Sequence, residues 1–135
     1  MSRSDDTRRP VPPAVRLAGS LAVGLILAGL GGMVLGEYTF QGEGIQWLAI
    51  SGGAGLGGAM AWLLNRVWSH DPPPWMMPVA AVLAVLGEAL AVHNDNPDRP
   101  WPAEGWVAIV LAAVSSAYGI WSAHRVAEQD RARKP

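Results

Sequence analysis

Apolar residues in this chain are concentrated in four long blocks, separated by short polar or proline-containing connections. The blocks cover residues 15–35, 45–64, 75–92 and 105–123. A helix rises about 1.5 Å per residue, so about 20 apolar residues can cross the roughly 30 Å hydrocarbon layer of a bilayer. The blocks lack the alternation of apolar and polar positions that a membrane β-barrel needs. The pattern therefore predicts an all-α integral membrane protein with four transmembrane helices.

The two ends of the chain are polar and differ sharply from these blocks. Residues 1–14 and 124–135 are short and rich in proline or charge. Segments of this composition have little apolar surface to bury and tend to stay disordered. We therefore expect a disordered tail at the amino terminus and a similar tail at the carboxyl terminus.

Basic residues predict the orientation of the four helices. Nine of the ten Lys and Arg residues lie in the two tails, at the start of the first block or in the middle connection, and only Arg99 lies elsewhere. Because Lys and Arg accumulate on the cytoplasmic side of membrane proteins, both termini and the middle connection should be cytoplasmic. The two outer loops carry acidic residues instead: Glu37, Glu43, Asp95, Asp98 and Glu104.

One pattern occurs in both halves of the chain. Trp-x-Ala-Ile, a second Trp and Arg-Val follow one another at the same spacing in residues 47–67 and 106–126. The tetrapeptide Val-Leu-Gly-Glu precedes each copy, at residues 34–37 and 85–88. The pattern favours two tandem, related hairpins that run in the same direction, a parallel pseudo-repeat. The alternative is independent origin, because tryptophan belts flanked by arginine are common in membrane helices.

Small residues recur every four positions in the first two blocks and indicate where helices pack. In lipid, helices associate through small side chains that let their backbones approach closely. The predicted packing residues are Ser20, Gly24, Ala28, Gly32 and Gly36 in the first helix and Gly53, Gly57 and Ala61 in the second. A second face of helix two carries Ser51, Gly55 and Ala59. One of these stripes, above all that of helix one, could instead face another subunit, in a homo-oligomer or a larger membrane complex.

Glu88 is the one ionisable residue predicted to lie in the interior of an apolar block, away from the ends of the block. Such residues are costly in a membrane and are functional candidates for that reason. Ser51, at a similar predicted depth, is the candidate hydrogen-bond partner. Glu37 matches Glu88 through the shared tetrapeptide. One interpretation is a shallow, water-reachable Glu88, and the other is a pair of outer carboxylates that binds a cation or passes protons.

Other chemistry is sparse. The chain has no cysteine, which excludes disulfides and thiolate sites, and its histidines lie at block ends or connections: His70, His93 and His124. We predict no catalytic, cofactor or metal site and no nucleic-acid partner. The expected partner of the apolar blocks is the lipid bilayer.

The sequence thus favours a small, non-enzymatic, multi-pass protein of a bacterial plasma (inner) membrane, a prediction supported by the Ala, Gly, Pro and Arg bias typical of GC-rich genomes. Its expected role is structural, assembly or accessory. The alternative is a small ion or proton channel or transporter that uses the outer carboxylates Glu37 and Glu88.

Overall fold

The computed structural model describes residues 9–39 and 46–135 and consists of four helices joined by connections without strands in these ranges. The helices are α1 (Pro13–Thr39), α2 (Gln46–Val67), α3 (Met76–Asp95) and α4 (Ala103–Arg133). All four are long and apolar enough to cross a membrane. The predicted all-α architecture of four helices, each long and apolar enough to span a membrane, is therefore confirmed.

The helix ends differ from the predicted boundaries. α1 begins at Pro13, where proline is tolerated because a first-turn residue needs no amide donor. α4 continues to Arg133, so this tail is helical where disorder was expected. Its Ala, Glu, Gln and Arg residues are good helix formers. Residues 1–8 of the predicted amino-terminal tail and Glu43 of the first outer loop lie outside the described residues.

The helices form a four-sided bundle in the order α1, α3, α4, α2. α1 packs on α3 and α2 packs on α4, while α3 contacts α4, α1 contacts α2, and α2 reaches α3 across the middle. In both large contacts the two helices run in the same direction, since residue numbers increase together along α1 and α3 and along α2 and α4. A strict twofold axis between the hairpins would make the α1–α4 and α2–α3 pairs equivalent, but α1 and α4 have no contact among the described residues.

Small residues form the contacts of both parallel pairs. A Cβ on Gly53 or Gly57 of α2 would collide with the backbone of α4, at Ala108 or Ala112 respectively. A Cβ on Gly32 of α1 would likewise collide with the backbone of α3. Because the backbones approach this closely only where side chains are missing, glycine determines how these helices meet. The stripe on α1 is thus occupied by α3 within the chain and is not free to face another subunit.

The core changes in character along the membrane normal. The half that contains both termini, called the inner half after the predicted orientation, holds the large, fully buried side chains of Met60, Leu64, Met76 and Ile120. The outer half is mostly glycine and alanine, with Val92 and Ile109 as larger buried side chains. The only carboxyl group buried among the described residues, that of Glu88, lies in this small-residue half.

The connection between α2 and α3 is tied to the other helices. Trp68 donates its Nε1–H to Ser20 Oγ of α1 over 3.0 Å, and Arg16 donates to the Trp68 carbonyl over 3.3 Å. On the opposite side, Arg131 of α4 forms an ion pair with Asp71 at 2.8 Å. The inner end of the bundle is therefore held together by side chains from several elements.

Positions matched by the repeated pattern have similar surroundings in α2 and α4. Trp62 and Trp121 are both exposed, and each is covered by the arginine one turn later: Arg66 lies 4.6 Å and Arg125 lies 5.2 Å from the respective ring centroid. Arginine over an aromatic face is a favourable cation–π arrangement. The similarity fits a duplication, which stays a prediction because lipid alone favours such pairs.

Candidate functional site

Glu88 is the most unusual side chain of the bundle. It is 1% exposed, and its Oε2 atom has no hydrogen-bond partner among the described residues. The other buried polar side chains in these ranges, Ser20 and Ser116, donate to the backbone carbonyls of Arg16 and Ala113 over 2.8 and 3.0 Å. The structure therefore does not support a shallow, water-exposed Glu88.

The position of Glu88 on α3 places it toward α4. Glu88 lies one helical turn before Val92, and a Cβ on Gly105 of α4 would meet the Val92 side chain at 2.9 Å. Next to Glu88, Gly87 packs on α1 and α2, where a Cβ would lie 3.0 Å from Ala28 Cα. Glu88 is thus enclosed on a helix that has close neighbours on several sides.

The walls near Glu88 offer little to bind its carboxyl group. On its own helix, the residues within a turn of Glu88 that are fully buried are Ala84, Ala91 and Val92. None of these side chains can donate a hydrogen bond. The enclosure is therefore apolar and tightly packed around one polar group.

Ser51 does not lie beside Glu88, contrary to the predicted hydrogen bond. Its side chain is exposed on the side of α2 that points away from the other helices. No hydrogen bond joins Ser51 and Glu88 in the described part of the chain. Residues two positions apart on a helix point about 200° apart. Since Gly53 faces α4, Ser51 must point away from it.

Glu37 occupies a separate place from Glu88. It is exposed at the outer end of α1 and lines an open pocket of about 380 Å³ with Met33, Gly36, Asn94 and Asp95. Glu88 is seven residues before Asp95, which corresponds to about 10 Å along the helix axis. The two carboxyl groups therefore do not form one outer vestibule.

Several other polar side chains have structural partners. Ser115 Oγ donates to the Ala54 carbonyl over 3.1 Å and so links α4 to α2. His124 Nδ1 lies 3.1 Å from the Pro72 carbonyl oxygen, with Nε2 3.3 Å from Glu128. Among the described residues no group of three His, Cys, Asp or Glu side chains could hold a metal ion.

A second feature is the side of α2 that points away from the other helices, called here the outer face of α2. Ser51, Gly55, Gly58 and Ala59 are exposed there, and a Cβ on Gly55 or Gly58 would have no neighbour within 4 Å. The sequence showed the small residues of this face but not that the face stays free, because that depends on the rotation of α2 in the bundle.

The matched face of α4 is bulky. In the register of the repeated pattern, Ser51, Gly55 and Ala59 correspond to Val110, Val114 and Tyr118, which are 58%, 58% and 63% exposed. The two helices thus present very different outer surfaces at equivalent positions. An alignment of the two halves of the chain could have revealed this contrast.

Two features therefore stand out in this bundle: the enclosed carboxyl group of Glu88 and the free small-residue face of α2. Neither resembles a catalytic arrangement. The chain matches no protein-family model, no curated protein and no solved structure.

Proposed function

We propose that this protein is a non-enzymatic structural, assembly or accessory component of a membrane complex, and that it joins this complex through the outer face of α2. The observation that carries the proposal is the exposed stretch of Ser51, Gly55, Gly58 and Ala59, against which nothing in the described chain packs.

The physical argument compares lipid with another helix as the neighbour of that face. Glycine on a lipid-facing surface provides few atoms for packing, whereas it lets a second helix approach closely enough for extensive van der Waals contact. The same chain uses Val110 and Val114 on the matched face of α4. A surface specialised for a helix partner explains why α2 differs.

The surroundings and orientation belong to the same proposal. We place the protein in the plasma (inner) membrane of a bacterium, with both termini in the cytoplasm. Support comes from the arginines that follow the apolar parts of α2 and α4, since Arg66 and Arg125 cover exposed tryptophans as expected at an inner membrane interface.

Cysteine crosslinking in native membranes tests the α2 interface. The chain has no cysteine, so one substitution supplies one reactive thiol. We expect Gly55→Cys, labelled with a short reagent that is thiol-reactive at one end and photoactivatable at the other, to crosslink efficiently on illumination, while Val114→Cys, at the matched position of α4, does not. A product of twice the chain mass would identify a second copy as the partner, and another mass would identify a different subunit.

The proposal fails if both variants behave alike or if neither crosslinks. Affinity purification in mild detergent provides an independent check. Recovery of the monomer alone, from cells that express the protein at its native level, would contradict a role in a complex.

A second candidate function is ion or proton transport that involves Glu88 and Glu37. The enclosed, unpartnered Oε2 of Glu88 favours it, because ionisable groups inside membrane proteins commonly belong to such pathways. In liposomes, Glu88→Gln should abolish flux and leave folding intact, with Glu37→Gln compared alongside. Flux that is absent or equal in wild type and Glu88→Gln would exclude this function.

A further inference from the structure

Glu88 allows an inference that does not depend on either proposed function. A carboxylate deprived of water is stable only if cations or several hydrogen-bond donors replace the lost hydration. At Glu88, exposure is 1% and Oε2 has no partner in the described part of the chain. The conditions for a buried negative charge are therefore not met.

Charged groups on the neighbouring helices do not change this balance. On α1 they are Arg16 and Glu37, and on α2 Arg66. On α4 Glu104 lies at the outer end, and the others lie at the inner end: Arg125, Glu128, Asp130, Arg131 and Arg133. The arginines lie at the inner ends of their helices, and Arg16 and Arg66 are already engaged with Trp68 and Trp62.

The titratable groups nearest in depth to Glu88 are three carboxylates and His93, and Arg99 lies farther out in the connection between α3 and α4. Glu37 and Asp95 line the pocket at the outer end of the bundle, and Glu104 lies beside Gly105, which packs on Val92. None of these groups forms an ion pair or a hydrogen bond with Glu88 in the described part of the chain.

Access to Glu88 is closed in this structure. Ala91 and Val92 are fully buried and lie between Glu88 and the outer end of α3. Val92 is packed on α4 at Gly105, where a Cβ would come within 2.9 Å of it. Separation of α3 and α4 at this contact would give water a path to the carboxyl group from the outer side.

We propose that Glu88 is an occluded proton-binding site within the membrane-spanning bundle, which holds its proton at neutral pH and exchanges it only when the outer ends of α3 and α4 open. The ligand is the proton itself. The site is a single carboxylic acid enclosed by the small and apolar side chains of α3 and α4.

Infrared spectroscopy of the full chain in lipid nanodiscs at neutral pH tests the proton directly. The wild type should show the C=O band of a protonated carboxylic acid, which Glu88→Gln lacks and Glu37→Gln retains. Glu37 is a matched control, because it ends the same Val-Leu-Gly-Glu tetrapeptide but is exposed. After transfer into D₂O, the band should shift to its deuterated position slowly, well behind the exchange of exposed groups.

Several outcomes would overturn the proposal. These are a wild-type spectrum without a protonated carboxyl band, a band that disappears in Glu37→Gln and persists in Glu88→Gln, and immediate exchange in D₂O. If Glu88→Gln does not fold, wild type labelled with ¹³C-glutamate provides the same test, since the protonated band must then shift with the label.

Proton counting gives a second readout on the same protein. When the wild type is unfolded by a detergent at neutral pH in weakly buffered solution, Glu88 becomes hydrated and should release its proton. We expect one more proton released per chain from the wild type than from Glu88→Gln. Equal release would contradict a bound proton.

Discussion

A glycine in α2 has different consequences on the two faces of the helix. Gly53 and Gly57 face α4, where a Cβ would collide with backbone atoms. Gly55 and Gly58 face outward and have no neighbour within 4 Å of a Cβ position. The same residue type therefore serves a contact within the chain on one face and an open surface on the other.

Replacing Gly57 with alanine should destabilise the fold. The added methyl group would collide with Ser115 Oγ and the Ala112 carbonyl, and overpacking of a tight contact costs about 1–3 kcal/mol. The measurement is the free energy of unfolding of the full chain, from a reversible titration with a denaturing detergent in mixed micelles.

Gly58→Ala is the matched control for Gly57→Ala. It adds the same methyl group to an open position, and alanine is a better helix former than glycine by about 1 kcal/mol. Its stability should equal or slightly exceed that of the wild type. Equal losses in both variants would show that the α2–α4 contact is not as close as described.

Ser51 and Glu88 show how far residue depth alone can be used. Counting from the helix ends gave both residues a similar depth, but depth does not determine the direction of a side chain. Small residues occupied two faces of α2, so the sequence allowed either face to turn inward. Packing on α4 selected the Gly53 face and left Ser51 outside.

At the scale of an element, the connection from α2 to α3 is fixed to the bundle by specific side-chain contacts. Prolines at 72–74 restrict its backbone, and Trp68 anchors it through a hydrogen bond to Ser20 and an edge-to-face contact with Trp75 at 5.4 Å. The chain must cross the bundle at this point, since α2 and α3 lie at opposite corners.

Trp68→Phe should weaken this anchor specifically. Phenylalanine keeps an aromatic ring but removes the Nε1–H donated to Ser20 Oγ, a bond that contributes about 0.5–1.5 kcal/mol. Trp68 is also buried, so the smaller phenylalanine ring loses packing contacts, and this loss lowers the stability further. The midpoint of thermal unfolding in detergent should fall.

Asp71→Asn is the comparison for Trp68→Phe. Asp71 pairs with Arg131 at 2.8 Å, but both side chains are about half exposed, and such ion pairs contribute roughly 0–1 kcal/mol. The expected change in the unfolding midpoint is smaller than for Trp68→Phe. The opposite order would mean that the connection is held mainly by α4.

α4 shows how an element can exceed the pattern that predicts it. It has 31 residues, about 46 Å of helix, whereas the hydrocarbon layer needs only about 30 Å. Hydropathy marks only the apolar part. The continuation to Arg133 has local causes, namely helix-forming residues and the contacts of His124 and Arg131.

For the whole molecule, the parallel contacts α1–α3 and α2–α4 place the two hairpins side by side. Four crossings put both termini on the same side of a membrane, and the distribution of Lys and Arg predicts that this side is the cytoplasm.

Reporter fusions test that topology. A fluorescent protein that matures only in the cytoplasm should be bright after Pro135, and alkaline phosphatase at the same site should be inactive. A fusion after Asp98, in the connection between α3 and α4, should give the reverse pair of results. Active phosphatase after Pro135 would contradict an orientation with both termini inside.

The four crossings, their approximate limits and the expected orientation follow from the sequence by itself, because hydropathy and charge act on each segment separately against the same lipid and water. Which helix each small-residue face meets, and which of the two faces of α2 turns inward, was decided only by tertiary packing. Glu37 and Glu88 are the last residues of identical tetrapeptides, yet Glu37 is exposed and Glu88 is buried, with 1% of its surface exposed. The tetrapeptide is the same in both helices, but α3 has helices on three sides and carries Glu88 deeper, so neighbours and depth determine which carboxyl group is removed from water.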